Sequence, residues 1–169
     1  MQFSPASPAA FSDQGAVRRS RLNLDEYLPY LVNRVGVALA QHFGREALAR
    51  YHLSIEMWRV LVALSANGGQ RQVDLGGLTS IDASTLSRMV TRLARLGFVV
   101  RRRSTADNRE VEVALTAKGR AALRRLVPTA RRYERVAAAG LSPTATAALK
   151  RALRIMYLNL APRPPAERS

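Results

Sequence analysis

The chain contains no cysteine. Without a thiol it forms no disulfide, holds no thiolate-bound metal, runs no thiol redox switch and offers no cysteine nucleophile. Long apolar runs are also missing. The longest uncharged stretch lies between Arg135 and Lys150 and is broken by Gly140-Leu141-Ser142-Pro143, whereas a spanning helix needs roughly 20 apolar residues. Met1 to Ala16 has no basic start followed by an apolar block, and Arg18, Arg19 and Arg21 lead into an amphipathic segment rather than a signal core. The expected location is the cytoplasm, in association with the nucleoid, with no membrane partner. Histidine is scarce: His42 and His52 are the only two and lie ten residues apart, which does not put them on one helical face. No acidic cluster completes a metal site around either. Gly68-Gly69 and Gly76-Gly77 lack the strand-to-helix setting of a phosphate cradle, and no paired carboxylates or nucleophile with a base are visible. No catalytic residue, cofactor or metal is therefore expected, and the chain reads as a non-enzyme.

Acids are few as well. Twelve Asp plus Glu stand against 27 Lys plus Arg, a formal net charge of +15, and such an excess favours a polyanion, either nucleic acid or an anionic membrane surface. The 169 residues, 47% of them hydrophobic, suffice for one cored domain with tails. Residues 1–21, rich in Ser, Pro and Ala, and 161–169, with three prolines, read as tails. The domain is expected over 22–160.

Leu24, Leu28, Leu31, Val35 and Leu39 repeat at helical spacing. A proline inside a helix costs about 3 kcal/mol, so Pro29 belongs in the first turn of the main helix, after a short turn over 24–27. A bend near Gly44 should precede the continuation to Arg50. Ser54 is a good N-cap for a second helix, with Leu53 and Trp58 at staple positions and an inner face of Trp58, Leu61, Val62 and Ser65. Asn67-Gly68-Gly69 stops it. A short helix over 72–78 follows, weakened by about 1 kcal/mol at each of Gly76 and Gly77.

Asp82 can cap the next helix, whose stripe of Leu86, Met89, Val90, Leu93 and Leu96 runs to Gly97 while Ser84, Thr85, Ser87, Arg88, Arg92 and Arg95 face elsewhere. Phe98 to Arg103, a polar turn with Asp107-Asn108, and the alternating Val111 to Leu115 read as a β-hairpin. Thr116 caps a helix to about Ala139, and Ser142 with Pro143 starts the last one, ending near Leu160.

Two short helices joined by Thr79-Ser80-Ile81 and followed at once by a hairpin form a winged helix-turn-helix, in which the second helix enters the major groove. The fold class is thus mainly α with a small β wing. Taken alone, a helix with Leu inside and Ser, Thr and Arg outside is an ordinary solvated surface helix. Its order among the elements, together with six arginines and no acid from Ala83 to Ala106, turns the reading to double-stranded DNA. Small hydroxyls at Ser84, Thr85 and Ser87 allow close approach to base edges, and Arg88 is long enough for paired hydrogen bonds to guanine. Arg92 and Arg95 suit phosphates, and Arg101 and Arg103 of the wing are further candidate DNA contacts.

Over roughly Leu24 to Leu160 the chain resembles the MarR family, most specifically in Leu96-Gly97-Phe98-Val99-Val100-Arg101-Arg102, Asp107-Asn108-Arg109 and Leu115-Thr116-Ala117-Lys118-Gly119. These are similar to the family's wing, with its Asp-x-Arg tip and closing Leu-Thr-x-x-Gly. At such a tip Asp107 can hold Arg109 by charge-assisted hydrogen bonds and aim it into the minor groove. Asp74-Leu75-Gly76-Gly77 departs from the family's Leu-Ala pair in a firmer helix.

The resemblance implies a homodimer in which 24–50 and 116–160 form the dimerisation helices and about 54–115 the reading head, set on a pseudo-palindromic operator. It also implies a repressor released by a small aromatic effector, carboxylate or phenolic. Arg34 would clasp a carboxylate and Trp58 a ring; the plainer roles are a solvated or interface charge for Arg34 and a core position for Trp58. A different reading of the charge is an architectural, nucleoid-type protein with little sequence preference.

Overall fold

The computed structural model describes residues 22–103 and 111–160; both expected tails lie outside these. The chain divides into two compact units, Met1–Ala38 and Leu39–Ser169. In the first, the Tyr27 amide donates to Leu24 O at 3.2 Å, closing a turn, and α1 (Leu28–Phe43) starts with Pro29 as its second residue. There the missing N–H would have had no intrahelical acceptor. The apolar stripe Leu24, Leu28, Leu31 and Val35 is 37–55% exposed.

In the second unit α1 leaves α geometry where a bend was expected. A π-helical segment, Gly44–Leu48, and a 3-10 turn, Ala49–Tyr51, carry the chain to His52. Ser54 Oγ accepts from the Met57 amide at 3.3 Å and opens α2 (Ile55–Asn67). Its buried face is Met57, Val60, Leu61 and Leu64, which corrects the expected face of Trp58, Leu61, Val62 and Ser65. The helix is turned by one residue, about 100°: Trp58 stays half-buried at the boundary, edge-on to Phe43 at 5.1 Å, and Val62 and Ser65 are exposed.

A two-residue strand, β1 (Gln70–Arg71), follows, then α3 (Gln72–Thr79), α4 (Ala83–Arg95), β2 (Val99–Arg103) and β3 (Val111–Leu115). The sheet has three strands in the order β1-β3-β2, all pairs antiparallel. Val99 sits opposite Leu115 and Arg102 opposite Glu112, so the expected hairpin is present. The third strand, Gln70 opposite Val113 and Arg71 opposite Glu112, was not expected, because two residues carry no readable alternation. Two long helices complete the unit, α5 (Ala117–Ala137) and α6 (Pro143–Leu160). Pro128 lies inside α5, where it deletes a helix N–H, although periodicity alone treats the segment as uninterrupted. Among the described residues no helix is long and apolar enough to cross a membrane.

The core is built from Leu48, Val60, Leu61, Leu75, Leu86, Val90 and Leu93, all fully buried, with Phe98, Val113, Leu123 and Leu126 around them. This packing answers the weak propensity of α3. Leu75 anchors it, and the Ile81 amide donates to Gly76 O at 3.3 Å where the chain folds back.

The start of α5 holds the root of the wing. Thr116 Oγ1 accepts from the Gly119 amide at 3.0 Å and donates to Gly97 O at 2.7 Å. Lys118 Nζ donates to Leu96 O at 2.7 Å while lying over the Phe98 ring. Gly119 packs directly on the backbone, since a Cβ there would fall 2.2 Å from Phe98 O. Gly119→Ala is therefore expected to lower the unfolding free energy by about 1–3 kcal/mol through overpacking. Gly77→Ala, in a helix with nothing within 4 Å of the new Cβ, is expected to raise it by about 0.4–1 kcal/mol. Urea unfolding at one fixed protein concentration checks both.

Candidate nucleic-acid interface

The reading helix is set by its cap. Asp82, in extended conformation, accepts from the Thr85 amide at 2.9 Å and from Ser84 Oγ at 2.8 Å. The Thr85 backbone N–H, and then its neighbours' side chains, hold the Asp82 carboxyl at a pKa of about 2. The negative charge before α4 is thus engaged with the helix N-terminus, where the helix dipole also favours it.

Leu86, Val90 and Leu93 turn into the core. On a 3.6-residue repeat the opposite side of α4 carries Ser84, Arg88, Thr91 and Arg95, with Arg92 beside them. Ser84, Arg88, Arg92 and Arg95 are exposed, and Thr85 and Ser87 half-buried. The hydroxyl of Ser84 is spent on Asp82, and that of Thr85 accepts from Arg88 Nη2 at 3.2 Å. Ser87 O accepts from Thr91 Oγ1 at 2.9 Å. Among the described residues Arg88, Arg92 and Arg95 have no ion-pair partner, so the outer face of α4 offers guanidinium groups and hydroxyls only.

Side chains alternate along β2, which separates its three arginines. Arg101 Nη2 donates to Thr91 Oγ1 at 3.1 Å, joining the wing to the outer face of α4. Arg102 points the other way, 3.8 Å from Glu112 on β3. Arg103, in register with Val111, is exposed at the end of the described strand. Asp107 and Arg109, the expected wing tip, lie outside the described residues. Thr91 escaped the reading of the sequence; its signal is its place three residues after Arg88 and seven after Ser84 on one face.

The two expected effector contacts fall in different units. Arg34 lies 4.0 Å from Asp25, both well exposed. Trp58 forms a wall of a cavity of about 570 Å³ bounded by α2, α3 and Tyr157 of α6. Nearby, Glu46 of the π segment accepts from the Tyr133 hydroxyl and the Arg132 guanidinium of α5, which lower its pKa in that order. His42 stacks on Tyr133, ring centroids 6.1 Å apart. Among the described residues no three His, Cys, Asp or Glu side chains gather around a possible metal.

A helix presenting a cationic, acid-free face with a strand arginine fastened beside it is shaped for a groove lined by phosphates. Comparison with known proteins points the same way. The sequence signature of the MarR family matches residues 53–111. A MarR-family transcriptional regulator from Silicibacter pomeroyi is 33% identical, covers 83% of this chain and 94% of its own, and superposes with a TM-score of 0.72. The transcriptional repressor CouR, solved on a 23-mer DNA duplex, is 30% identical, with 81% and 99% covered and a TM-score of 0.69. BpsR of Bordetella bronchiseptica, whose DNA binding is regulated by 6-hydroxynicotinic acid, is 28% identical, with 81% and 97% covered and a TM-score of 0.71. The curated relatives that the chain matches are HTH-type transcriptional regulators, and it spans about half their length.

The Asp82 cap gives a pH signature. The depressed carboxyl pKa stabilises the fold above the unfolded value near 3.8 and loses that contribution as pH falls through about 2. Asp82→Ala is expected to unfold at lower urea than the parent at pH 7, with the gap closing between pH 4 and 2. A gap unchanged across that window would mean that the carboxylate charge does not hold the cap.

Proposed function

The chain belongs to the MarR family of DNA-binding transcriptional regulators, and on that premise we propose that it is a sequence-specific repressor. It acts as a homodimer on a pseudo-palindromic operator and is released by a small aromatic carboxylate or phenol. The observation that carries the reading is the acid-free outer face of α4, with Arg101 fastened beside it through Thr91. In this reading Ser84, Thr85 and Ser87 allow close approach to base edges and Arg88 reads guanine, leaving Thr85 as it does so. Arg92, Arg101 and Arg103 meet phosphates, and Asp107 aims Arg109 into the minor groove.

The proposed division makes 22–160 one domain, with 54–115 as the reading head and 24–50 and 116–160 as dimerisation helices. Support comes from apolar surface at both ends of the described chain. Leu24, Leu28, Leu31 and Val35 are exposed in the first unit, and Leu149, Leu153, Ile155 and Leu158 of α6 in the second. Apolar stripes of this kind are what a partner subunit covers. The repressor role and the effector class are supported by CouR and BpsR, the latter responding to an aromatic hydroxy acid. In this chain Trp58, on the wall of the cavity in the second unit, would meet the ring.

The net charge of +15 also favours a second reading, architectural binding with little sequence preference. Fluorescence anisotropy at near-physiological salt separates them, comparing the DNA upstream of the chain's own gene with a scrambled duplex. A repressor is expected to prefer the former by about a thousandfold or more, whereas equal affinities would support the architectural reading. Arg88→Ala is expected to relax preference at one base pair per half-site by about 1–3 kcal/mol. Arg109→Ala is expected to weaken binding without unfolding the protein; unchanged affinity would remove the wing tip from the mechanism.

A further inference from the structure

Much of the positive charge lies outside the reading head. Along α5 the sequence places six arginines and Lys118 against a single acid, Glu134. That acid is taken by Lys150 of α6, and Arg132 is taken by Glu46. The buried face of the helix is Gly119, Ala122, Leu123 and Leu126. On a 3.6-residue repeat the opposite face carries Arg120, Arg124, Arg131 and Arg135, one, two and one turns apart, a line roughly 22 Å long at 1.5 Å per residue. All four are exposed. Among the described residues Arg124, Arg131 and Arg135 have no ion-pair partner, and Arg120 donates to Leu115 O at 2.8 Å.

This stripe begins at the root of the wing, on the side of the sheet away from the reading helix. Arg120 shares a cleft of about 280 Å³ with Arg102. Arg102 and Arg101 are neighbours on β2 and point to opposite sides of the sheet, and it is Arg101 that is fastened to Thr91 of α4. A duplex seated on the outer face of α4 therefore meets Arg101 and leaves the Arg102–Arg120 side, with the stripe beyond it, to something else.

The chemistry of the stripe selects its occupant. Cations spread along a line match an extended polyanion rather than a compact one, and duplex DNA carries a negative charge about every 1.7 Å of its axis. Guanidinium groups pair with phosphate oxygens through two N–H donors at once. A protein partner asks for an apolar centre to its interface, yet α5 exposes no large apolar side chain before Val136. The same stripe on a second copy of the chain would set like charges together.

We propose that the arginine stripe of α5 is a second nucleic-acid surface, which holds a separate segment of duplex by its phosphates while α4 reads the first, so that one molecule bridges two segments. The proposal rests on duplex binding by α4 and goes beyond it. Contacts on the stripe are to phosphates alone, so the second segment is held whatever its sequence.

A bridging assay on the full chain tests this. Beads carrying the duplex from upstream of the chain's own gene are loaded with protein, and a fluorescent scrambled duplex is then titrated over a series of salt concentrations. The parent is expected to retain the second duplex, with an affinity that falls steeply with salt. Arg124→Gln/Arg131→Gln is expected to load onto the beads as the parent does and to hold the second duplex about tenfold more weakly at near-physiological salt. Its salt slope for that duplex is expected to be lower by about 2, one for each lost phosphate contact. Arg151→Gln/Arg154→Gln, which removes the same charge from exposed positions of α6, is expected to match the parent. Loading and retention are counted separately: absent loading removes α4, loading without retention removes the stripe, and either overturns the bridge. Bridging by the two reading heads of a dimer survives Arg124→Gln/Arg131→Gln, so retention equal to the parent's overturns the stripe, as does an equal loss in the α6 variant. A lower mass of Arg124→Gln/Arg131→Gln by light scattering would make the stripe a subunit contact. Displacement of the second duplex by polyglutamate at a lower charge concentration than by unlabelled duplex would give the surface to an acidic protein. Both results overturn the proposal.

Discussion

Leu86, Val90 and Leu93 have no exposed surface, and their burial sets the rotation of α4 about its axis. Each is worth roughly 1.5–3 kcal/mol on removal from water. Turning the helix over would give that up and force Arg88 and Arg95 inward, where an unpaired charge is far more costly. The outer face is therefore whatever the other positions carry: hydroxyls and guanidinium groups. Everything that touches α4 is arranged to hold this one setting, from the Asp82 cap at its start to Lys118 on Leu96 O at its end.

Charge is distributed to the same end. Among the described residues three acids of the reading head are engaged: Asp82 by its helix N-terminus, Asp74 by Arg71 at 2.8 Å, Glu112 beside Arg102. None of these three pairs with an arginine of α4. The alternation of β2 keeps Arg101 for the outer face and gives Arg102 to Glu112, so neighbouring residues of one run serve different purposes. Binding through such a surface releases counterions and weakens steeply with salt, which makes the wing and the helix a shared electrostatic unit whatever bases they read.

Polar contacts also tie the long helices α5 and α6 to the rest of the second unit. Glu46, Arg132 and Tyr133 join the π segment to α5, the Thr116–Gly119 turn joins the wing root to α5, and Ser80 meets Tyr157 of α6. These polar contacts add to apolar packing, since Leu123 and Leu126 of α5 lie in the same core as Val60, Leu86 and Val90.

Local chemistry was enough for much of this. Ser54, Asp82, Thr116 and Ser142 mark helix starts by side chains that accept a backbone N–H, and Pro29 and Pro143 permit only the first turn; all act within a few residues. The stripe of α4 and the alternation of β3 report which side is buried, so the winged helix-turn-helix and the cationic face of α4 were legible. Other features depend on residues far apart in the chain. β1 exists only because β3 pairs with it, the buried face of α2 is the one that Met57, Val60, Leu61 and Leu64 turn into the shared core, and the Gly76-Gly77 helix is held by Leu75 in that core. Thr91 under Arg101, Arg102 on Glu112 and Ser80 on Tyr157 likewise join separate segments. Short-range order is decided by neighbours along the chain, whereas these pairings are decided by which surfaces burial brings together, and that only the tertiary structure could determine.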